Sequence, residues 1–187
     1  MEVVKYGDYF ARQGWYPASE SGCRAAIEEY AATFSPPDRK TAAKLNGGGV
    51  PHAGWAFSGS LAAKVFHALA SGPQPDLVLL CGGHMGPSSP AWVWGSGVWP
   101  TPLGELVGDE AFADELAESV SDLAPRVLGP ADYEPDNTIE LQMPFVRHFL
   151  GETKLVVAGV PASLQGLELG TAAAKLAAEK KLERLPP

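Results

Sequence analysis

The stretch Val50-Pro51-His52-Ala53-Gly54-Trp55-Ala56-Phe57-Ser58-Gly59 decides how the chain is read. Pro51 fixes its own φ and biases Val50 toward extended geometry, so a strand over 45–50 should end here. Three glycines, Gly47 to Gly49, weaken that strand by propensity. Ser58 stands just before the apolar-periodic run Leu61, Val65, Phe66, Leu69, which is the place of a helix N-cap. A histidine and a tryptophan thus lie between the exit of a strand and the start of a helix. Open α/β sheets bind ligands at such places.

Downstream, Asp76-Leu77-Val78-Leu79-Leu80-Cys81 is a continuous apolar run of strand length, as in a buried parallel strand. Strand, helix and strand over 45–81 predict a right-handed βαβ unit. His84 follows the second strand as His52 follows the first. Neighbouring strands lie about 4.8 Å apart, so the two imidazoles could meet one ion or one substrate. Cys81 is either a further ligand, three residues before His84, or a core thiol.

The rest of the chain reads as follows. Ser19 or Ser21 caps a helix bearing Ile27, Tyr30, Ala31 and Phe34. Residues 88–108 read as irregular or hairpin structure around Gly95-Ser96-Gly97. Asp109 caps a helix with Phe112, Leu116 and Val120. Lys154 to Val160 form a third strand, and Ser163 opens a last, Ala-rich helix. His67 and His148 fall in helices, at the surface or flank. No repeat or linker divides the chain, so residues 1–187 are expected as one three-layer α/β/α domain with a largely parallel sheet.

Composition narrows the function classes. With 187 residues the chain can bury a real core. A net charge of −8 argues against a nucleic-acid phosphate binder. No apolar run approaches the roughly 20 residues of a membrane span. The first residues lack the basic and apolar regions of a secretory signal, so a cytoplasmic setting is expected. Cys23 and Cys81 make no disulfide framework. No Ser-His-Asp set or phosphate loop is visible.

Pro51-His52-Ala53-Gly54-Trp55, with Ser58-Gly59 after it, resembles the signature of the Memo family, whose bacterial members are often called AmmeMemoRadiSam system protein B. Gly14-Trp15-Tyr16-Pro17 is similar to a segment near the start of these proteins, where the Trp lines a pocket. The alternative for Trp15 is a pin holding the N-terminal arm to the core. Thr101-Pro102-Leu103-Gly104 followed by Asp109 also matches in order. Asp136-Asn137-Thr138-Ile139-Glu140-Leu141-Gln142-Met143-Pro144-Phe145 resembles the family's Glu-His-Ser-x-Glu-x-Gln-Leu-Pro-Phe.

The resemblance implies a fold similar to class III extradiol dioxygenases, which use non-haem iron. It implies His52 and His84 as metal ligands and Trp15, Trp55, Asn137 and Glu140 as pocket residues. One departure matters. The family's histidine is Asn137 here, and an amide cannot move a proton as the corresponding dioxygenase histidine does. For Glu140 the alternative is a capping box with Asn137, at N-cap to N3 spacing.

The resemblance covers the whole chain but only the front part of the family's domain. A segment that completes the metal site in human-type members lies outside these residues. Strand 154–160 is therefore expected at an uncovered edge, which would favour a homo-oligomer.

Two functional readings remain. In one, a degenerate metal-site pocket binds a peptide or small molecule without catalysis. In the other, the protein is a non-haem iron metalloenzyme of the extradiol-dioxygenase kind. The only cofactor expected is a weakly held divalent metal, iron, zinc or copper.

Overall fold

Strand β6, Lys154–Gly159, organises the structure because it alternates two ways. Leu155 and Val157 enter one core; Val156 and Ala158 enter the other. The period of 2 along a strand sends successive side chains to opposite faces. A strand apolar at every interior position must therefore be covered on both faces, which makes a three-layer domain. In this computed structural model, residues 8–120, 126–127 and 134–180 are described.

One face of the sheet carries helices α2 (Glu20–Ala32), α4 (Trp55–Ala70) and α7 (Met143–Leu150), whose Ile27, Phe66 and Phe145 pack with Leu155 and Val157. The other carries α5 (Glu110–Ser119) and α8 (Leu164–Glu179), whose Phe112, Leu116, Leu169 and Ala173 pack with Val156 and Ala158. Short helices α1 (Tyr9–Arg12), α3 (Arg39–Ala42) and α6 (Asn137–Glu140) complete the helical set among the described residues.

The sheet is largely parallel. β1 (Leu77–Gly82) runs parallel to β6 along its whole length. On the other side of β6, β4 (Gly104–Gly108) pairs in parallel with its start, and β2 (Trp92–Trp94) antiparallel with its end. β5 (Arg126–Val127) extends the sheet beyond β2, and β3 (Val98–Thr101) beyond β4. The three-layer α/β/α expectation holds. No helix among the described residues is long and apolar enough to cross a membrane.

Caps match the sequence reading where a short polar side chain precedes an amphipathic run. Ser19 Oγ accepts from Gly22 N, and Asp109 Oδ1 accepts from Phe112 N at 3.0 Å.

Four local expectations are corrected. Residues 45–50 form no strand, so there is no βαβ unit over 45–81, and β1 takes β6 as its parallel neighbour instead. Three consecutive glycines bring no side chains to a sheet face, so nothing offsets their backbone entropy. Helix α4 starts at Trp55 with Gly54 as N-cap, not at Ser58. Ser58 lies inside its first turn, buried, with Oγ donating to the Ala53 carbonyl at 2.9 Å. The hairpin is β3–β4, turning at Thr101–Gly104, rather than one around Gly95–Gly97. Finally, β6 is not an uncovered edge: it is flanked on both sides and its last five residues are buried. The ground given for a homo-oligomer at that strand is therefore gone.

Candidate functional site

His52 and His84 come together despite arriving differently. His84 follows β1, as expected, whereas His52 sits on irregular backbone just before α4. Gly83 makes the turn after β1 possible: its φ of +103° is a region that side-chain-bearing residues avoid. At Gly82 a Cβ would run into the side chains of Thr138 and Ile139, so the β1 exit fits closely under α6. The two imidazole centroids lie 5.2 Å apart, ring edge toward ring face. Both rings are exposed.

Asn137 stands between them. Its Oδ1 lies 2.7 Å from His84 Nε2, and its Nδ2 lies 3.2 Å from His52 Nδ1. Nδ2 also donates to the His52 carbonyl at 2.7 Å. An amide oxygen only accepts and an amide nitrogen only donates. The pattern therefore calls for a proton on His84 Nε2 and a bare Nδ1 on His52.

The polar run Asp136–Gln142 stitches both histidine segments down. Asp136 Oδ2 accepts from His84 N at 3.3 Å, and Thr138 Oγ1 accepts from Gly83 N at 2.7 Å. Gln142 Nε2 donates to the Pro51 carbonyl at 3.2 Å. Asp136, not Asn137, is the N-cap of α6, since its side chain accepts from Thr138 N. That displaces the capping box proposed for Asn137 and Glu140.

Glu140 points the other way. Its carboxylate is buried, and Oε1 accepts from Phe10 N at 2.7 Å, Ala11 N at 3.3 Å and the Tyr16 hydroxyl at 3.2 Å. Oε2 has no partner among the described residues. Burial raises the Glu140 pKa above the ordinary carboxylate range, against the three donors that lower it. The Tyr16 hydroxyl is pushed up by burial and by the neighbouring carboxylate. Sequence reading missed Tyr16 and this anchoring of the N-terminal arm. The signal available was a Glu between two apolar residues, Ile139 and Leu141, in a chain whose N-terminal arm is rich in aromatics.

The two tryptophans lie in a second place. Trp55 is 3% exposed, stacks on Phe145 at 4.3 Å between centroids, and donates from Nε1 to the Leu141 carbonyl at 3.0 Å. Trp15 is 39% exposed and packs edge-on against Phe10. Its carbonyl accepts from Trp55 N at 2.9 Å. Together with Tyr16, Tyr30 and Phe57 they line a pocket of about 600 Å³ that includes neither histidine. The expected single pocket is thus two neighbouring sites, joined by α6, which supplies Asn137 to one and anchors the arm of the other through Glu140. His67 and His148 lie half-buried on α4 and α7 beside Phe149, away from both.

A metal is the group the resemblance implies, and the donor set does not fit a tightly held one. The facing imidazole nitrogens are both engaged by the Asn137 amide, and Asp136 and Glu140 are committed to backbone donors. Among the described residues no three His, Cys, Asp or Glu side chains gather where they could hold an ion.

Comparison with known proteins agrees with the motifs. The family model described as "Memo-like protein" matches residues 12–181. A "MEMO1 family protein" of Methanobrevibacter smithii is 36% identical over 136 residues, 72% of this chain and 47% of the relative. One from Pyrobaculum arsenaticum is 33% identical over 118 residues, 63% of this chain and 41% of the relative. One from Sulfurisphaera tokodaii is 38% identical over 111 residues, 57% and 37% respectively. The chain belongs to the Memo-like family, and it spans less than half the length of these curated relatives.

Proposed function

Starting from membership of the Memo-like family, we propose that this chain is a binding module without catalytic turnover. Its ligand is a peptide or small molecule, held between the Trp15 pocket and the His52–Asn137–His84 cluster. The observation that carries the reading is the amide bridge. Asn137 occupies the space between the two imidazoles and engages one nitrogen of each, His84 Nε2 and His52 Nδ1. It offers no titrating group for acid–base work. Trp15 supplies an exposed aromatic face on a pocket of ligand size. A cytoplasmic setting accompanies this reading.

The iron-enzyme reading keeps one supporting observation, the close approach of the imidazoles. Elemental analysis of freshly purified protein, with oxygen uptake on catechols after anaerobic iron loading, separates the two. The expected result is substoichiometric metal and no catechol-dependent oxygen uptake. Stoichiometric iron with uptake that disappears in His84→Ala would overturn the proposal.

A further inference from the structure

Five aromatic side chains line the pocket beside the N-terminal arm: Trp15, Tyr16, Tyr30, Trp55 and Phe57. Three of them have their polar hydrogen tied to an oxygen. Tyr16 donates to Glu140 Oε1 at 3.2 Å, Tyr30 to the Trp55 carbonyl at 3.2 Å, and Trp55 Nε1 to the Leu141 carbonyl at 3.0 Å. What these rings bring to the pocket is therefore π surface. A phenol or indole that donates to an oxygen also carries a more electron-rich ring, which strengthens its pull on a cation. Trp15 and Phe57 are the exposed members of the set, Phe57 at 85%.

An acid stands behind this wall. Glu140 is one hydrogen bond from two lining residues, through Ala11 N and the Tyr16 hydroxyl, and its Oε2 has no partner among the described residues. No Lys, Arg or His lines the pocket, so an anion would find no cation to meet it. The arginines of α1 and α2, Arg12 and Arg24, are each paired with a carboxylate four residues earlier, Asp8 and Glu20. The first turn of α4 borders the pocket, and its Trp55 and Phe57 N–H groups are taken by the Trp15 and Gly54 carbonyls, which blunts its pull on anions. The chain as a whole carries a net charge of −8. A primary ammonium would enter with donors that need acceptors. The side-chain oxygens of the lining are the two tyrosine hydroxyls, both already engaged. A methylated ammonium spreads its charge over methyl groups and is satisfied by ring surface, as in aromatic cages.

We infer that the pocket of Trp15 and Phe57 takes a quaternary ammonium group, as carried by choline or by a trimethyllysine side chain. The inference rests on the binding-module reading and narrows its ligand. With a volume of about 600 Å³ the pocket also has room for part of the chain that bears the charged head.

Calorimetric titration of the 187-residue chain tests it with two pairs of probes. One pair is choline and its neutral carbon isostere, in which tert-butyl replaces trimethylammonium. The other is a trimethyllysine peptide and the same peptide unmethylated. Saturable binding that favours the methylated cation about tenfold or more in at least one pair is the expected result. Which pair shows it tells a free small molecule from a peptide as the source of the group. Trp15→Ala and Phe57→Ala change exposed residues, so the fold is kept, and each is expected to weaken that binding about fivefold or more. Equal affinity within both pairs would overturn the inference and leave the binding-module reading standing. Absence of binding by all four probes, or a preference that survives in both alanine variants, would overturn it too. Catechol-dependent oxygen uptake, which would defeat the binding-module reading, is measured separately and does not alter these affinities.

Discussion

The Asn137 Oδ1 lies 2.7 Å from His84 Nε2, at the point where the imidazole of His84 faces that of His52. An amide in that position makes the pair of histidines a hydrogen-bonded unit. Removing it exposes both nitrogens together. In Asn137→Ala, zinc titrated by calorimetry is expected to bind more tightly than in the parent chain, because no bond must be broken first. Asn137→His places a third imidazole between the two and is expected to gain about tenfold or more over the alanine variant. Equal affinity in all three proteins would show that the amide does not gate the histidines.

Glu140 predicts a specific pH dependence. Its pKa is raised on folding by burial, so the folded state binds its proton more tightly than the unfolded chain. The contribution is fully present below the unfolded carboxylate value and is lost as pH rises through the raised folded value. Glu140→Gln keeps an acceptor oxygen for Phe10 N and Ala11 N but cannot ionise. Urea melts of the two proteins across acid to neutral pH are expected to show parent stability falling relative to the variant as pH rises. Parallel curves would refute the assignment.

Glu140→Ala tests the anchoring role. It leaves Phe10 N, Ala11 N and the Tyr16 hydroxyl without their acceptor. The expected cost is about 1–3 kcal/mol. Faster amide exchange should be confined to residues near Phe10 to Tyr16, because α6 keeps its Asp136 cap.

The tryptophans are expected to separate by substitution. Trp55→Ala empties a core position against Phe145 and should cost about 3–5 kcal/mol. Trp15→Ala, at a 39% exposed residue, should change stability by about 0.5 kcal/mol or less. Denaturant midpoints measure both. A Trp15 variant as unstable as the Trp55 variant would make Trp15 a core pin instead of a pocket wall.

Gly82→Ala probes the seat of the β1 exit. The new methyl meets the Thr138 hydroxyl and the Ile139 side chain. Overpacking there should cost about 1–3 kcal/mol and move the His84 ring resonances, because Thr138 also holds Gly83 N. Unmoved resonances would mean that α6 yields without disturbing the histidine.

Much of this protein was legible from local pattern. The run Leu77–Cys81 and the run Leu155–Ala158 are apolar at consecutive positions over strand length, the pattern of a strand covered on both faces. Ser19 and Asp109 announced their helices because a cap is a contact within one turn. Two histidines in family-like motifs were enough to expect them to meet, although only His84 follows a strand and the neighbouring-strand route expected for His52 did not form.

Other features depended on partners far along the chain. Gly47 to Gly49 stayed out of the sheet because strand formation needs cross-strand packing that glycine cannot supply. Whether residues 154–159 lay at an edge was decided by β2 and β4, whose sequences do not announce which strand they join. Asn137 and Glu140 are three residues apart on one helical turn, yet one bridges the histidines and the other holds the N-terminal arm. Residue type and spacing determined that both are polar groups near a ligand-like motif. Which oxygen met which donor, across separations of 53 and 130 residues, was decided only when the sheet and both helical layers had closed around α6.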